Sequence, residues 1–335
     1  MVYVSCADDK LIVGYEMDGS GHLREILRTA IPGSAAPSPS SLPLAVSPDR
    51  RWIYAGLRGE PFPLSTFAID PATGTLTLAG TARLPDSMCY LSTDRTGTRL
   101  FSASYGGAIL GVAPIRDGIA GDVAQVIATA PKAHCACPDP DFRFVYTACL
   151  GGDVILAQRI EDAGLDPVPH PVARTRPGAG PRHVAFTRDG HRLYCVNELD
   201  GTVNAYDRDR DTGALREIQS VSLLTDPVPG GLAAADIHLT PDERFLYASE
   251  RRTNTIAGFR VEQATGFLSP TGPVPSEPNP RGFAIAPQGP FLLCAGMESG
   301  MVATYAIDSQ AGELTRLGAV SAGAGANWVE VLQFA

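Results

Sequence analysis

The sequence predicts an all-β fold, a single seven-bladed β-propeller of four-stranded blades, and three observations carry that prediction. An apolar strand, a turn of the S-P-D-x-R kind and a strand rich in Leu, Tyr and Ala recur along the chain. The turn marker falls at Asp49, Asp94, Asp139, Asp189, Asp242 and Gln288, a period of roughly 45 to 53 residues that lies in the range of propeller repeats. The two chain ends are complementary fragments of one more copy, so a closed ring has seven blades.

Taken in order, VYVSCADDKLIVGYEMDGSGHLREI reads as strands two to four of a blade without its first. Clear full copies start near Leu42 (LPLAVSPDRRWIYAGLRGE), Gly180 (GPRHVAFTRDGHRLYCVNELDG), Ala235 (ADIHLTPDERFLYASERR) and Asn279 (NPRGFAIAPQGPFLLCAGMESG). Weaker copies start near Ser87 (SMCYLSTDRTGTRLFSASYGG) and Ala133 (AHCACPDPDFRFVYTACLGGD). The last stretch, ANWVEVLQF, supplies the missing first strand, and joining the ends in one sheet removes the free edges of an open array. Two β-sandwiches in tandem would give no such complementary ends. Hairpins between third and fourth strands are marked by Thr73-Gly74, Thr212-Gly213, Thr265-Gly266 and Gly312, where glycine supplies the positive φ of the turn. The Pro/Gly-rich stretches Ile31 to Pro43, Pro169 to Pro181 and Thr225 to Ala233 are expected to link one blade to the next, so residues 1–335 form one domain.

Bulk properties narrow the function. With 44% hydrophobic and 19% charged residues the chain can bury an ordinary globular core. A net charge of −9 argues against a nucleic-acid partner, and an anionic ligand would need a local arginine cluster. No apolar run is long enough to cross a membrane, and the N-terminus lacks the basic and apolar regions of a signal peptide. Seven cysteines at irregular spacing fit reduced, buried thiols, so a cytoplasmic location is expected. No cofactor is implied. His134-Cys135-x-Cys137 invites a metal reading, but Cys135 and Cys137 lie two apart on a strand and are expected to face a neighbouring blade, so no metal is expected.

In an up-and-down blade, residues early in strand one and just after strand two lie on the same face, around the mouth of the central channel. The first set comprises His134, Arg182, His183, Asp236, His238, Arg281 and Trp328. The second comprises Arg58, Tyr105, Asp153, Glu198, Arg251, Arg252 and Glu298. Guanidinium groups hold carboxylate or phosphate bidentately, and a His or Glu nearby can move a proton. The bland readings are arginines capping inter-blade carbonyls, core histidines and a Glu198 that merely neutralises an arginine. No G-x-S-x-G, H-E-x-x-H or P-loop is present, so serine-nucleophile, zincin and nucleotide-hydrolysis readings have no support.

GPRHVAF, YCVNEL, AADIHLTPD, FLYASER and NPRGF, in this order and spacing, resemble the bacterial propeller-type 6-phosphogluconolactonases, a family that also includes the fungal 3-carboxy-cis,cis-muconate cyclases. The resemblance runs from VYVSCADDKLIVGYEM to NWVEV and implies a seven-bladed propeller, a lactonase or lactone-forming activity, and no metal or organic cofactor. It implies catalytic roles for His134, Arg182, Glu198 and Arg251, with Arg281 as the arginine of P-R-G-F. Arg58, His183, His238, Arg281 and Tyr105 complete the candidate site as substrate-binding residues. SYGGAILGV and Cys135 depart from the family's usual turns. The expected function is hydrolysis of a small anionic sugar-acid lactone, the alternatives being a carboxymuconate-type cycloisomerase or a binding scaffold. Whether His134 or Glu198 is the base stays open at this level, as does the oligomeric state.

Overall fold

Seven antiparallel sheets stand around one axis, as the repeat count requires. The computed structural model describes residues 1–33, 40–224 and 228–334, so residues 34–39 of the first expected linker, 225–227 of the third and the final residue of the expected domain lie outside the described residues. Blade 1 combines both chain ends: Ala326–Val331 pairs with Val2–Cys6, Val4 opposite Val329, and Leu11–Met17 and Leu23–Ala30 follow outward. The other inner strands are Leu44–Val46, Met88–Thr93, Cys137–Pro138, Pro181–Phe186, Ala234–Leu239 and Pro280–Ile285, in blades 2 to 7. The two weaker sequence copies are the two irregular blades. In blade 3 the outer strand is split into Ile119–Ala120 and Gln125–Ala128, and in blade 4 into Gly164–Pro167 and Ala173–Arg174. One 3-10 turn, Leu150–Gly152, is the only helical element among the described residues.

The second strands read as near-continuous apolar runs because neighbouring blades cover both of their faces: all six residues of Phe245–Glu250 are buried. Cores therefore form between blades. Tyr194 and Val203 of blade 5 pack with Leu246 and Phe259 of blade 6. Cys135 and Phe144 of blade 4 pack with Val184 and Cys195 of blade 5, with Cys137 against the same cluster. All seven cysteines are free thiols.

The recurring tyrosine is a latch. Tyr3, Tyr54, Tyr146, Tyr194 and Tyr247 donate their hydroxyls to the carbonyls of Gly74, Gly118, Gly213, Gly266 and Gly312, each in the outer hairpin of the next blade. Those glycines have φ between +72° and +80°, the conformation the hairpins were expected to need. On the face opposite the candidate site, the turn aspartates cap their own turns, Asp139 accepting from the Arg143 amide at 2.8 Å and Asp189 from the His191 amide at 3.0 Å.

A β-bulge opens the inner strands and aims the site. Pro181 pairs with Asn197 and His183 with Val196, which leaves Arg182 as the extra residue. The same irregularity isolates Arg281, Cys89 and Asn327 in blades 7, 3 and 1. Bulges re-aim side chains and end pairing. In blades 5 and 7 the extra residue is an arginine of the mouth, Arg182 and Arg281.

Candidate active site

Arg182 is the anchor of the mouth, only 1% exposed for all its charge. Its Nε lies 2.9 Å from Glu198 Oε2 but off the hydrogen-bond direction, so the contact is an ion pair, and its Nη1 donates to the Ala235 carbonyl. Arg251 Nη2 reaches the same Glu198 oxygen at 3.0 Å, and its Nε donates to the Ala233 carbonyl at 2.8 Å. Burial would raise the Glu198 carboxyl, but the guanidiniums of Arg182 and Arg251 outweigh it and hold its pKa below the usual glutamate value.

Two further arginines complete the cluster. Arg58 Nε donates to Ser87 Oγ at 2.9 Å and its Nη1 to Ser41 Oγ at 3.0 Å, both neutral partners. Arg281 has no hydrogen bond or carboxylate partner among the described residues. Burial, together with Arg182, Arg251 and Arg58, pushes its pKa down to about 9. Among the described residues these four guanidiniums form ion pairs with one carboxylate only, Glu198.

His134 stands at this mouth with its ring 5.8 Å from Tyr105 and 5.1 Å from His183, centre to centre. It is 4% exposed, and its Nδ1 has no hydrogen-bond partner among the described residues. Burial, then the charges of Arg182 and Arg281, hold its pKa well below 6.5, so it is a neutral imidazole at neutral pH.

Beside His134 three further rings gather. Tyr90, His183 and Trp328 each directly follow a bulge, in blades 3, 5 and 1, and their rings meet across the axis at 5.2, 5.6 and 6.2 Å. His183 Nδ1 is 2.8 Å from Asp236 Oδ1, and Asp236 Oδ2 is 3.2 Å from His238 Nε2. Burial opposes the Asp236 charge, yet His238 and His183 overcome it and keep the carboxylate well below its ordinary range. Burial and Arg182 take His183 the other way, down to about 4.

The structure therefore brings together Arg58, Tyr105, His134, Arg182, His183, Glu198, Arg251 and Arg281. It does not bring His238 to them. That side chain lies two residues further along its strand, on the far side of Asp236, where its ring meets Phe283 at 4.8 Å and lines a 370 Å³ cavity with Trp328 and Glu330. Inner-strand residues on one face of the sheet occupy successive depths in the channel, which the grouping by strand start did not resolve. Arg252 and Glu298 are exposed on the rim, and Asp153 binds the Gly178 and Gly180 amides of its own linker. Sequence reasoning missed Tyr90 and Glu330, the latter with its carboxyl pushed up to about 7 by burial. Tyr90 and His183 each lie three residues before the end of their strand, Thr93 and Phe186, but four and six residues before the turn markers Asp94 and Asp189, so the markers alone did not align them.

A family model described as a lactonase, seven-bladed β-propeller, matches residues 1–331. The chain is 37% identical over 338 residues to a 6-phosphogluconolactonase of Pectobacterium carotovorum, covering 99% of this chain and 98% of the relative. A 6-phosphogluconolactonase of Serratia proteamaculans is 36% identical over 334 residues, with 99% and 98% covered. Among solved structures, a periplasmic gluconolactonase of Pseudomonas aeruginosa superposes with a TM-score of 0.90 at 26% identity, covering 100% of each chain. No helix among the described residues is long and apolar enough to cross a membrane.

Proposed function

The chain belongs to the seven-bladed β-propeller lactonase family and is a lactonase, and from that premise we propose that it hydrolyses a small anionic sugar-acid lactone, of the 6-phosphogluconolactone type, at the arginine mouth. The observation that carries this reading is the imbalance of the cluster: of its four guanidiniums only Arg182 and Arg251 have an ion-pair partner among the described residues, the shared Glu198, and Arg281 is uncommitted. Such an excess suits a ligand that brings its own negative charge.

In this reading Arg281 and Arg58 hold the anionic tail, and Arg182 polarises the ring carbonyl. Glu198, gripped by two arginines and low in pKa, is a poor base and instead orients Arg182 and Arg251. His134 is the base. It takes a proton from water as the water oxygen adds to the carbonyl carbon, and the oxyanion forms against Arg182. The ring C–O bond then breaks, and the proton held by His134 goes to the departing alkoxide, leaving the open hydroxy acid, which ionises. Burial is the larger cause of the low His134 pKa and the charges of Arg182 and Arg281 add to it; a bound anion offsets the second contribution. Seven free thiols suit a reducing compartment, and we place the enzyme in the cytoplasm.

The test is acid release from a panel of phosphorylated, carboxylated and uncharged lactones at a pH where spontaneous opening is slow. Preference for an anionic member supports the reading. A flat response from folded protein overturns it.

A further inference from the structure

The mouth is rich in donors and poor in acceptors. Arg58, Arg182, Arg251 and Arg281 only donate, and the Glu198 oxygen nearest them is taken by two of these arginines. A sugar-derived lactone brings an anionic tail and a carbonyl for those donors, but its ring hydroxyls also need acceptors. Two uncommitted ring nitrogens stand beside the arginines, His134 Nδ1 and His183 Nε2, each buried and without a hydrogen-bond partner among the described residues.

The His183 tautomer is fixed by its neighbours. An ionised carboxylate can only accept, so the 2.8 Å contact to Asp236 places a proton on His183 Nδ1. The ring is neutral at working pH, because burial and Arg182 hold its pKa near 4. Its Nε2 is therefore a bare lone pair. Asp236 is held in turn by His238 and by the amides of Ile237 at 3.0 Å and Phe283 at 3.1 Å, which leaves the carboxylate no freedom to turn away. Tyr90, Trp328 and His134 pack the imidazole on its other sides. The Nε2 lone pair, its direction fixed by the Asp236 contact on the opposite side of the ring, is placed to accept a hydrogen bond from a bound hydroxyl beside the base His134.

We propose that His183, locked by Asp236 as the Nδ1–H tautomer, accepts a hydrogen bond from a ring hydroxyl of the substrate and makes the enzyme selective for hydroxylated, sugar-derived lactones over their deoxy counterparts. The inference rests on the proposed binding of a lactone at the arginine mouth. A site that hydrogen-bonds a substrate hydroxyl discriminates strongly against the analogue lacking it, since its own polar group is then left unpaired.

The experiment compares kcat/KM for a phosphorylated sugar lactone and its monodeoxy analogues, in the wild type and in His183→Phe and Asp236→Asn. The wild type should prefer the hydroxylated lactone over at least one deoxy analogue by about tenfold or more. His183→Phe should abolish that ratio, and Asp236→Asn, which frees the tautomer, should reduce it. Thermal unfolding of each variant reports whether it still folds. The proposal is overturned if the wild type shows no preference, or if a folded His183→Phe loses activity equally on both substrates, the signature of a structural or water-holding role. Absence of hydrolysis of any lactone by the wild type would instead overturn the underlying functional reading.

Discussion

Glu198 Oε2 lies 2.9 Å from Arg182 Nε, and the same oxygen serves Arg251 at 3.0 Å. One carboxylate therefore orients two guanidiniums without cancelling the charge of the mouth. Arg182→Met keeps the buried volume roughly filled and leaves Glu198 paired with Arg251. The expected result is a fall in kcat/KM of at least about 100-fold, the scale seen when an oxyanion donor is removed. Loss of one partner of a buried pair is costly when it leaves a lone buried charge, but Arg251 still neutralises Glu198, so the melting temperature should move by only a few degrees. Unfolding of this variant would assign Arg182 a structural role.

The pH profile follows from His134. Proton abstraction needs the neutral imidazole, and burial with the Arg182 charge holds its pKa well below 6.5. The acid limb of kcat/KM in the free enzyme should therefore fall below pH 6.5. A limb at or above that value would remove His134 as the base.

Stability carries its own pH signature through His183. Its pKa is about 4 in the fold and about 6.5 unfolded, so below pH 6.5 the unfolded chain binds the extra proton. The resulting loss of stability begins as pH falls through 6.5 and is complete below 4, about 3 kcal/mol in all. Denaturant unfolding at pH 7 and pH 4 should show His183→Gln losing less than the wild type by about this amount. Equal losses would mean that His183 is not held neutral.

Blade-to-blade cohesion is testable away from the mouth. Tyr194 Oη donates to the Gly266 carbonyl at 2.9 Å, joining blades 5 and 6. Tyr194→Phe should cost about 1 kcal/mol in unfolding free energy with kcat/KM unchanged.

Much of this was legible from the chain alone. The blade count and the closure through Val4 and Val329 followed from turn markers and complementary ends, because every blade solves the same packing problem with the same pattern. The grouping of Arg182, Arg251 and Arg281 with His134 followed from the alternation of loops between faces. Depth along the channel was not legible. Asp236 and His238 sit two residues apart on one strand, yet Asp236 reaches up to His183 while His238 lines the cavity below. Bulges set that depth, and a bulge depends on pairing with another strand rather than on local composition. The split outer strands of blades 3 and 4 were visible only as weak copies of the repeat.

The central claim is that the arginine mouth selects its substrate by charge, and Arg281, which has no partner of its own among the described residues, is the residue to ask. The measurement is kcat/KM for a phosphorylated sugar lactone and its unphosphorylated counterpart, in the wild type and in Arg281→Met, at roughly 0.05 and 0.5 M salt. The account predicts a strong wild-type preference for the phosphorylated lactone that weakens with salt and collapses in Arg281→Met, while the rate on the uncharged lactone barely changes. Equal rates for both lactones in the wild type, or a preference that survives Arg281→Met intact, would contradict it.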